Sequence, residues 1–166
     1  MREINLEEST PKPIEPGEEV RAVLLPLQDT NLLLPNITVA EVIGYREEDP
    51  VVNAPEWLRG VVNWNRRKIP VVSFEYFIHS EAVEPGYRAR IAVCHNLLHH
   101  NDMPFVGILC SSIPRLARAN ASSVAEPMMQ EILPDMTYRH VTYNGEDAWL
   151  PNFEKLCAET HKVMFE

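Results

Sequence analysis

Chemistry-bearing motifs are what this chain of 166 residues lacks. No nucleophile stands beside a base, no glycine-rich loop is set to cradle a phosphate, and the one close grouping of histidines, His95, His99 and His100, reads as a loop rather than a metal centre. The sequence therefore offers no basis for catalysis and calls for no cofactor. Cysteine is scarce. Cys94, Cys110 and Cys157 are odd in number, far apart and set in apolar segments, which fits buried reduced thiols better than disulfides or zinc ligands. A chain of this length buries most of its apolar surface without covalent staples. Long apolar runs are missing too: none approaches the roughly 20 residues of a membrane span. The start, MREINLEESTPKPIEPGEE, has no apolar core after a basic beginning. A cytoplasmic protein with no membrane insertion is expected. Positive charge is in short supply: 15 Lys and Arg face 24 Asp and Glu, for a formal net charge of -9. Such a surface repels phosphate backbones, so the expected partner is a protein rather than a nucleic acid.

Residues 1–18 carry Pro11, Pro13 and Pro16 amid acidic residues without apolar periodicity, the composition of a flexible arm. Folding is expected over 19–166, in two lobes divided near 79–88. Val20–Leu27 and Leu32–Leu34 read as a hairpin, and Ile37–Ile43 as a helical turn followed by a strand ending at Gly44. Pro55 suits the first position of a short helix ending near Gly60. Val61–Trp64 and Lys68–Ser73 form the next strand pair, then a helical turn over Phe74–Ile78. Arg90–Cys94 and Phe105–Cys110 are strands around the loop HNLLHHNDMP, with Ile113–Leu116 extending the second across a bend. Val124–Leu133 is a connection without a clear period. Asn144-Gly145 carries the strongest hairpin pattern in the chain, because Asn-Gly accepts the positive φ values of a type I′ turn. Asn152 can cap a terminal helix that turns Phe153, Leu156, Cys157 and Val163 inward. No helix of crossover length separates successive strands, so the fold class is mainly β, a barrel or sandwich rather than a parallel α/β fold.

The stretch Ala54–Phe74, APEWLRGVVNWNRRKIPVVSF, is the most informative. Two β-branched runs flank the only concentrated basic segment, Arg66-Arg67-Lys68, beside Trp64. An aromatic rimmed by charge is the composition of an interface hot spot, and it is equally that of a side chain covering a barrel end.

With the strands placed, the order of landmarks resembles the CheW-like domain of bacterial chemosensory adaptors, from about Val20 to the terminal helix. VRAVLLPL and LLLP resemble the family's opening strands, Val39-Ala40-Glu41-Val42-Ile43 its Val-x-Glu element, and Pro55 through Asn63 its Pro-x-x-x-x-Gly-Val-x-Asn turn. Ile69-Pro70-Val71, FVGILCSSIPRL and AWLPNFEKLCAE resemble later landmarks. The resemblance implies two intertwined five-stranded, SH3-like barrels with a groove between them, a C-terminal helix, and no catalytic activity. It further implies docking to the regulatory domain of a CheA-type histidine kinase and to the cytoplasmic tip of a chemoreceptor. Length and sequence also resemble auxiliary adaptors of chemosensory systems tied to type IV pili and twitching motility.

The family's Asn-Leu-Arg-Gly is here Asn63-Trp64-Asn65-Arg66. Asn65 thus stands where the family has an arginine paired with the residue matching Glu41, so that ion pair is missing. Arg66 stands at the glycine position, which predicts a different turn backbone, because arginine avoids the positive φ that glycine accepts. Ser111-Ser112 replaces the Asp-Gly of many members. Together the match and the composition give a partner surface of Val39, Glu41, Val62, Trp64, Asn65, Arg66, Arg67 and Lys68. Two other groupings compete with it. His95, His99 and His100, with Asp102 or Cys94, would be the centre of a metal-binding or enzymatic barrel, but their setting reads as a solvated hairpin tip. Glu41, Glu47, Glu48 and Asp49 read as a solvated acidic loop rather than as paired catalytic carboxylates. A further alternative is a decoy adaptor that binds the kinase alone.

Overall fold

The computed structural model describes residues 19–81, 83–126 and 133–166; the expected arm over 1–18 lies outside them. The described residues form eleven strands: β1 (Val20–Pro26), β2 (Asn31–Pro35), β3 (Val39–Gly44), β4 (Leu58–Trp64), β5 (Arg67–Val72), β6 (Arg90–His95), β7 (Phe105–Cys110), β8 (Arg115–Ala119), β9 (Val124–Ala125), β10 (Thr137–Tyr143) and β11 (Glu146–Pro151). A 3-10 turn, Asn36–Thr38, precedes β3, and the described residues also form two helices, α1 (Glu75–His79) and α2 (Phe153–Phe165).

The strands make two sheets, one of six strands in the order β8-β1-β2-β11-β10-β9 and one of five in the order β3-β6-β7-β5-β4. The sixth strand of the first is the two-residue β9. Each sheet curls until its edges meet. In the five-stranded sheet, Asp49 and Val61 exchange two backbone hydrogen bonds of 2.8 Å, which brings the chain after β3 onto the free edge of β4. In the other sheet, edge strand β8 reaches the far side directly, where Arg118 N–H donates to the Tyr143 hydroxyl of β10 at 3.1 Å. The interior of the five-stranded barrel holds Ile43, Val62, Ile69, Val71, Ile91, Val93 and Leu109. The six-stranded barrel encloses Ala22, Leu24, Leu33, Ala117, Ala119, Val141 and Ala148. The alternation of strand side chains sends Val23, Leu25, Leu32 and Leu34 to the other face, into a third core shared with Cys94, Ile108, Phe153 and Leu156.

Helix α2 follows its sequence pattern. The Asn152 side chain accepts from the Lys155 N–H at 3.1 Å, and Phe153, Leu156, Cys157 and Thr160 recur on the buried face, with Val163 half-buried. The two barrels are also tied by a polar contact. The Glu75 carboxylate accepts from Gln28 N–H, in the turn after β1, and from the Ser73 hydroxyl, after β5, both at 3.1 Å. Burial raises its pKa above the ordinary range, although those donors pull the other way.

Three sequence expectations change. The segment from Pro55 forms only a turn, Leu58 N–H to Pro55 C=O at 3.0 Å, and then enters β4 at Leu58. Its backbone is claimed by β5 on one side and by Asp49 on the other, so a proline well placed for a helix start does not begin one. The extension of β7 past the bend is a separate strand, β8, which leaves β7 to pair with β1 in the other sheet. The bend that makes this crossing is held by Ser111, whose N–H donates to Pro26 C=O at 2.8 Å and whose hydroxyl donates to Leu27 C=O at 2.9 Å. The 79–88 connection joins β5 and α1 to β6 and so lies within the five-stranded sheet; the chain changes sheets after β2 and after β7. Of the connection Val124–Leu133, residues 124–125 form β9 and residues 127–132 lie outside those described.

Candidate functional site

The β4–β5 hairpin is built from its buried face outward. Val62 pairs with Ile69, both within the barrel, and the register continues to Trp64 opposite Arg67, leaving Asn65-Arg66 as a two-residue connection. Of the two-residue turns that follow the right-handed strand twist, type I′ needs positive φ at both residues. Asn65 has φ 51° and Arg66 φ 63°. The expectation that arginine would force a different turn is therefore wrong here. The buried register fixes the loop length, and burial outweighs arginine's local preference, which costs on the order of 1 kcal/mol.

Gly60 fixes the same register from the other side. It has φ 141°, and a Cβ placed on it would lie 2.3 Å from the Asp49 carbonyl oxygen. Only glycine allows the two barrel edges to approach this closely. The seam is then secured by side chains. Arg46 donates to the Asn63 carbonyl, Arg59 Nε to Glu48 at 2.7 Å, and the Tyr45 hydroxyl to Glu48 at 2.7 Å. Burial, and next the bond to Glu48, raises the Tyr45 phenol above its ordinary pKa. Glu48 is thus committed to holding the seam, and Glu41 has a different partner.

Trp64 and Glu41 come from opposite edges of the sheet and meet where the barrel closes: the indole N–H donates to the Glu41 carboxylate. This contact occupies the place of the ion pair that the resemblance implies. Arg66 does not take it over. Half-buried, Trp64 also packs edge-on against Phe105, with ring centroids 5.0 Å apart, and Phe105 lies 5.4 Å from the His95 ring. The three rings cover one end of the barrel, so Trp64 both closes the barrel and leaves part of its surface outward.

Of the expected surface residues, Glu41, Asn65, Arg66, Arg67 and Lys68 are exposed, and Val39 is half-buried against the central core. Val62 is only 3% exposed; it holds the hairpin from within and presents nothing to a partner, which corrects its placement among contact residues. Among the described residues, none of Arg66, Arg67 and Lys68 takes part in an ion pair or side-chain hydrogen bond. Sequence reasoning missed Phe105 and Arg46. Both join the site through contacts made far along the chain, and neither has a local pattern that marks it.

The histidine loop divides instead of converging. Asn96, 3% exposed, organises it, donating to Met103 C=O at 2.8 Å and accepting from Leu98 N–H at 2.8 Å. His95 turns to Phe105, while His100 stacks on His161 of α2 at 3.8 Å, and His161 pairs with Asp102 at 2.8 Å. Among the described residues no group of three or more His, Cys, Asp or Glu side chains is placed to hold a metal. The thiols are equally unsuited to chemistry: burial pushes Cys110 and Cys157 up to about 12 and Cys94 well above its ordinary value.

The CheW-like domain family profile matches residues 21–161. The chain belongs to that family. The CheW-like fold is also found in the crystal structure of the scaffolding protein TtCheW from Thermoanaerobacter tengcongensis, which is similar with a TM-score of 0.64 at 15% identity, over 81% of this chain and 84% of that one. A comparison with curated proteins gives no match. In this CheW-like chain, the Val-x-Glu strand and the Asn-x-x-x turn, by which the resemblance was read, meet physically at the Glu41–Trp64 bond. Among the described residues no helix is long and apolar enough to cross a membrane.

Proposed function

We propose that this CheW-like chain is a non-catalytic cytoplasmic adaptor that couples a chemoreceptor's cytoplasmic tip to the regulatory domain of a CheA-type histidine kinase. The family match over 21–161 carries this reading, and the exposed β4–β5 turn beside Glu41 and Trp64 supports its location. The contact residues are Glu41, Trp64, Asn65, Arg66, Arg67 and Lys68, with Val39 at the margin. The adaptor works by favouring one kinase state over another, and its influence equals the difference between its affinities for the two. Because the turn replaces the family's Asn-Leu-Arg-Gly, the role is that of an accessory adaptor with altered partner choice, in a chemosensory system serving type IV pili and twitching motility.

Titration of the purified chain with a CheA-type regulatory domain and, separately, with a receptor hairpin tip tests the proposal. Saturable binding to both at about micromolar affinity is expected for a transient signalling contact. Binding to neither contradicts the adaptor, and binding to the kinase domain alone replaces it with the decoy that engages one side.

A further inference from the structure

Six of the basic side chains are committed to internal partners, whereas Arg21, Arg88, Arg90 and Lys155 have no acidic partner among the described residues but are not clustered three in a row. Arg46 donates to Asn63 C=O, Arg59 pairs with Glu48, Arg115 with Glu146, Arg118 with Glu19, Arg139 with Glu126 and Lys162 with Glu159. Arg66, Arg67 and Lys68 differ: three consecutive exposed cations with no ionic partner among the described residues, in a chain of net charge -9. We infer that this turn is a docking site for a short run of carboxylates on a protein partner. The inference rests on the adaptor reading and names the chemistry of what the adaptor holds.

Geometry supports the choice. Arg67 lies opposite Trp64 and two residues before Ile69, so it shares the strand face that turns into the barrel and stands at the barrel end beside the indole. Lys68 belongs to the opposite face, and Arg66 is at the tip. The turn therefore offers charge on both faces and at its end. Trp64 is fixed by Glu41 and Phe105, so the strand ends that carry Arg67 and Lys68 are held in a defined place. Guanidinium groups match carboxylates through paired hydrogen bonds. The surroundings limit the size of the anion. Glu41 bonds Trp64 and Asp49 pairs with Val61 of β4, so exposed acidic side chains border the hairpin, and a nucleic acid or an anionic bilayer extending past the turn meets their repulsion. A compact carboxylate cluster seated on Arg66 and Lys68, at the tip and on the strand face away from Trp64 and Glu41, meets less of it, because the field of more distant charges fades over about 8 Å at physiological salt.

The test is an NMR titration of the isotope-labelled full chain with hexaglutamate, and in parallel with hexalysine, single-stranded oligothymidylate and phosphatidylglycerol vesicles. Hexaglutamate is expected to move the amide resonances of residues 65–68, and to bind about tenfold more weakly when salt rises from about 0.05 M to about 0.3 M. The double substitution Arg66→Ala with Lys68→Ala should weaken that binding by about tenfold or more while the rest of the spectrum keeps its dispersion. Unmoved turn resonances overturn the inference, as does tighter binding of the oligonucleotide or the vesicles at the same turn. A kinase domain that does not bind refutes the adaptor and leaves the hexaglutamate result standing. Kinase binding without any hexaglutamate response refutes only the acidic-partner inference.

Discussion

Two hairpins of this molecule close with two-residue turns of the same kind and treat them in opposite ways. Asn144-Gly145 joins β10 to β11 with φ values of 48° and 82°, and Asn65-Arg66 joins β4 to β5 with 51° and 63°. At the first, glycine takes the second position without strain. At the second, an arginine is held where side chains are disfavoured. Their surroundings differ in the same sense. Beside the Asn-Gly turn, Glu146 pairs with Arg115, and Asp147 bonds both Thr30 and His140. Beside the Asn-Arg turn the cations have no internal partners among the described residues. One hairpin is finished from within; the other is left incomplete, and its strain accompanies charge displayed outward. A strained turn that displays charge is the place to look for function.

The sharpest way to break the comparison is to attack the frame that imposes positive φ on Arg66. Gly60→Ala should destabilise the protein by about 3 kcal/mol or more, seen as a large fall in the urea midpoint, because the new Cβ collides with the Asp49 carbonyl. A small effect would mean the β4 register is not what holds the turn. Exchanging the turn residues comes next: Arg66→Gly should gain about 1 kcal/mol and Gly145→Arg should lose about as much. Equal and opposite shifts in chemical denaturation would establish the two turns as one geometry; a loss on Arg66→Gly would show that arginine contributes stabilising contacts of its own. Trp64→Phe keeps a ring against Phe105 but removes the donor to Glu41, and should cost about 0.5–1 kcal/mol at this half-exposed position.

The smallest effect is expected at the finished hairpin. Arg115→Ala should cost no more than about 0.5 kcal/mol, since both partners are about half exposed, at 52% and 46%. Its pH dependence has a definite sign. Arg115 lowers the Glu146 pKa below the ordinary carboxylate value of 4.5, so the contribution is present above that value and is lost as pH falls through the lowered one. Stability curves of the parent and variant should therefore differ at neutral pH and converge in acid.

Much of this fold was legible in the sequence wherever local chemistry and tertiary structure agree. Asn144-Gly145 announced its turn, Asn152 its helix, and the apolar settings of Cys94, Cys110 and Cys157 their burial. Legibility failed where distant strands overrule the local pattern. Pro55 has every local reason to start a helix, but β5 and Asp49 claim the backbone that follows. Leu116 follows the β7 bend in sequence yet pairs with Val23 of β1. The site was half legible. The exposed cations and Trp64 stand out in composition, whereas the Glu41–Trp64 bond needs two sheet edges to close, and the Phe105 contact depends on the parallel pairing of β5 with β7. Arg66 was misread for the same reason: its propensity is local, and the register that overrides it is not.

Titration of a CheA-type kinase regulatory domain with the parent chain and with Arg66→Glu, alongside thermal unfolding of both, tests the central claim most directly. The account predicts binding weakened by about tenfold or more with a thermal midpoint changed by no more than about 1 °C, because the charge is reversed while the frame is untouched. Equal binding by Arg66→Glu and the parent would contradict it.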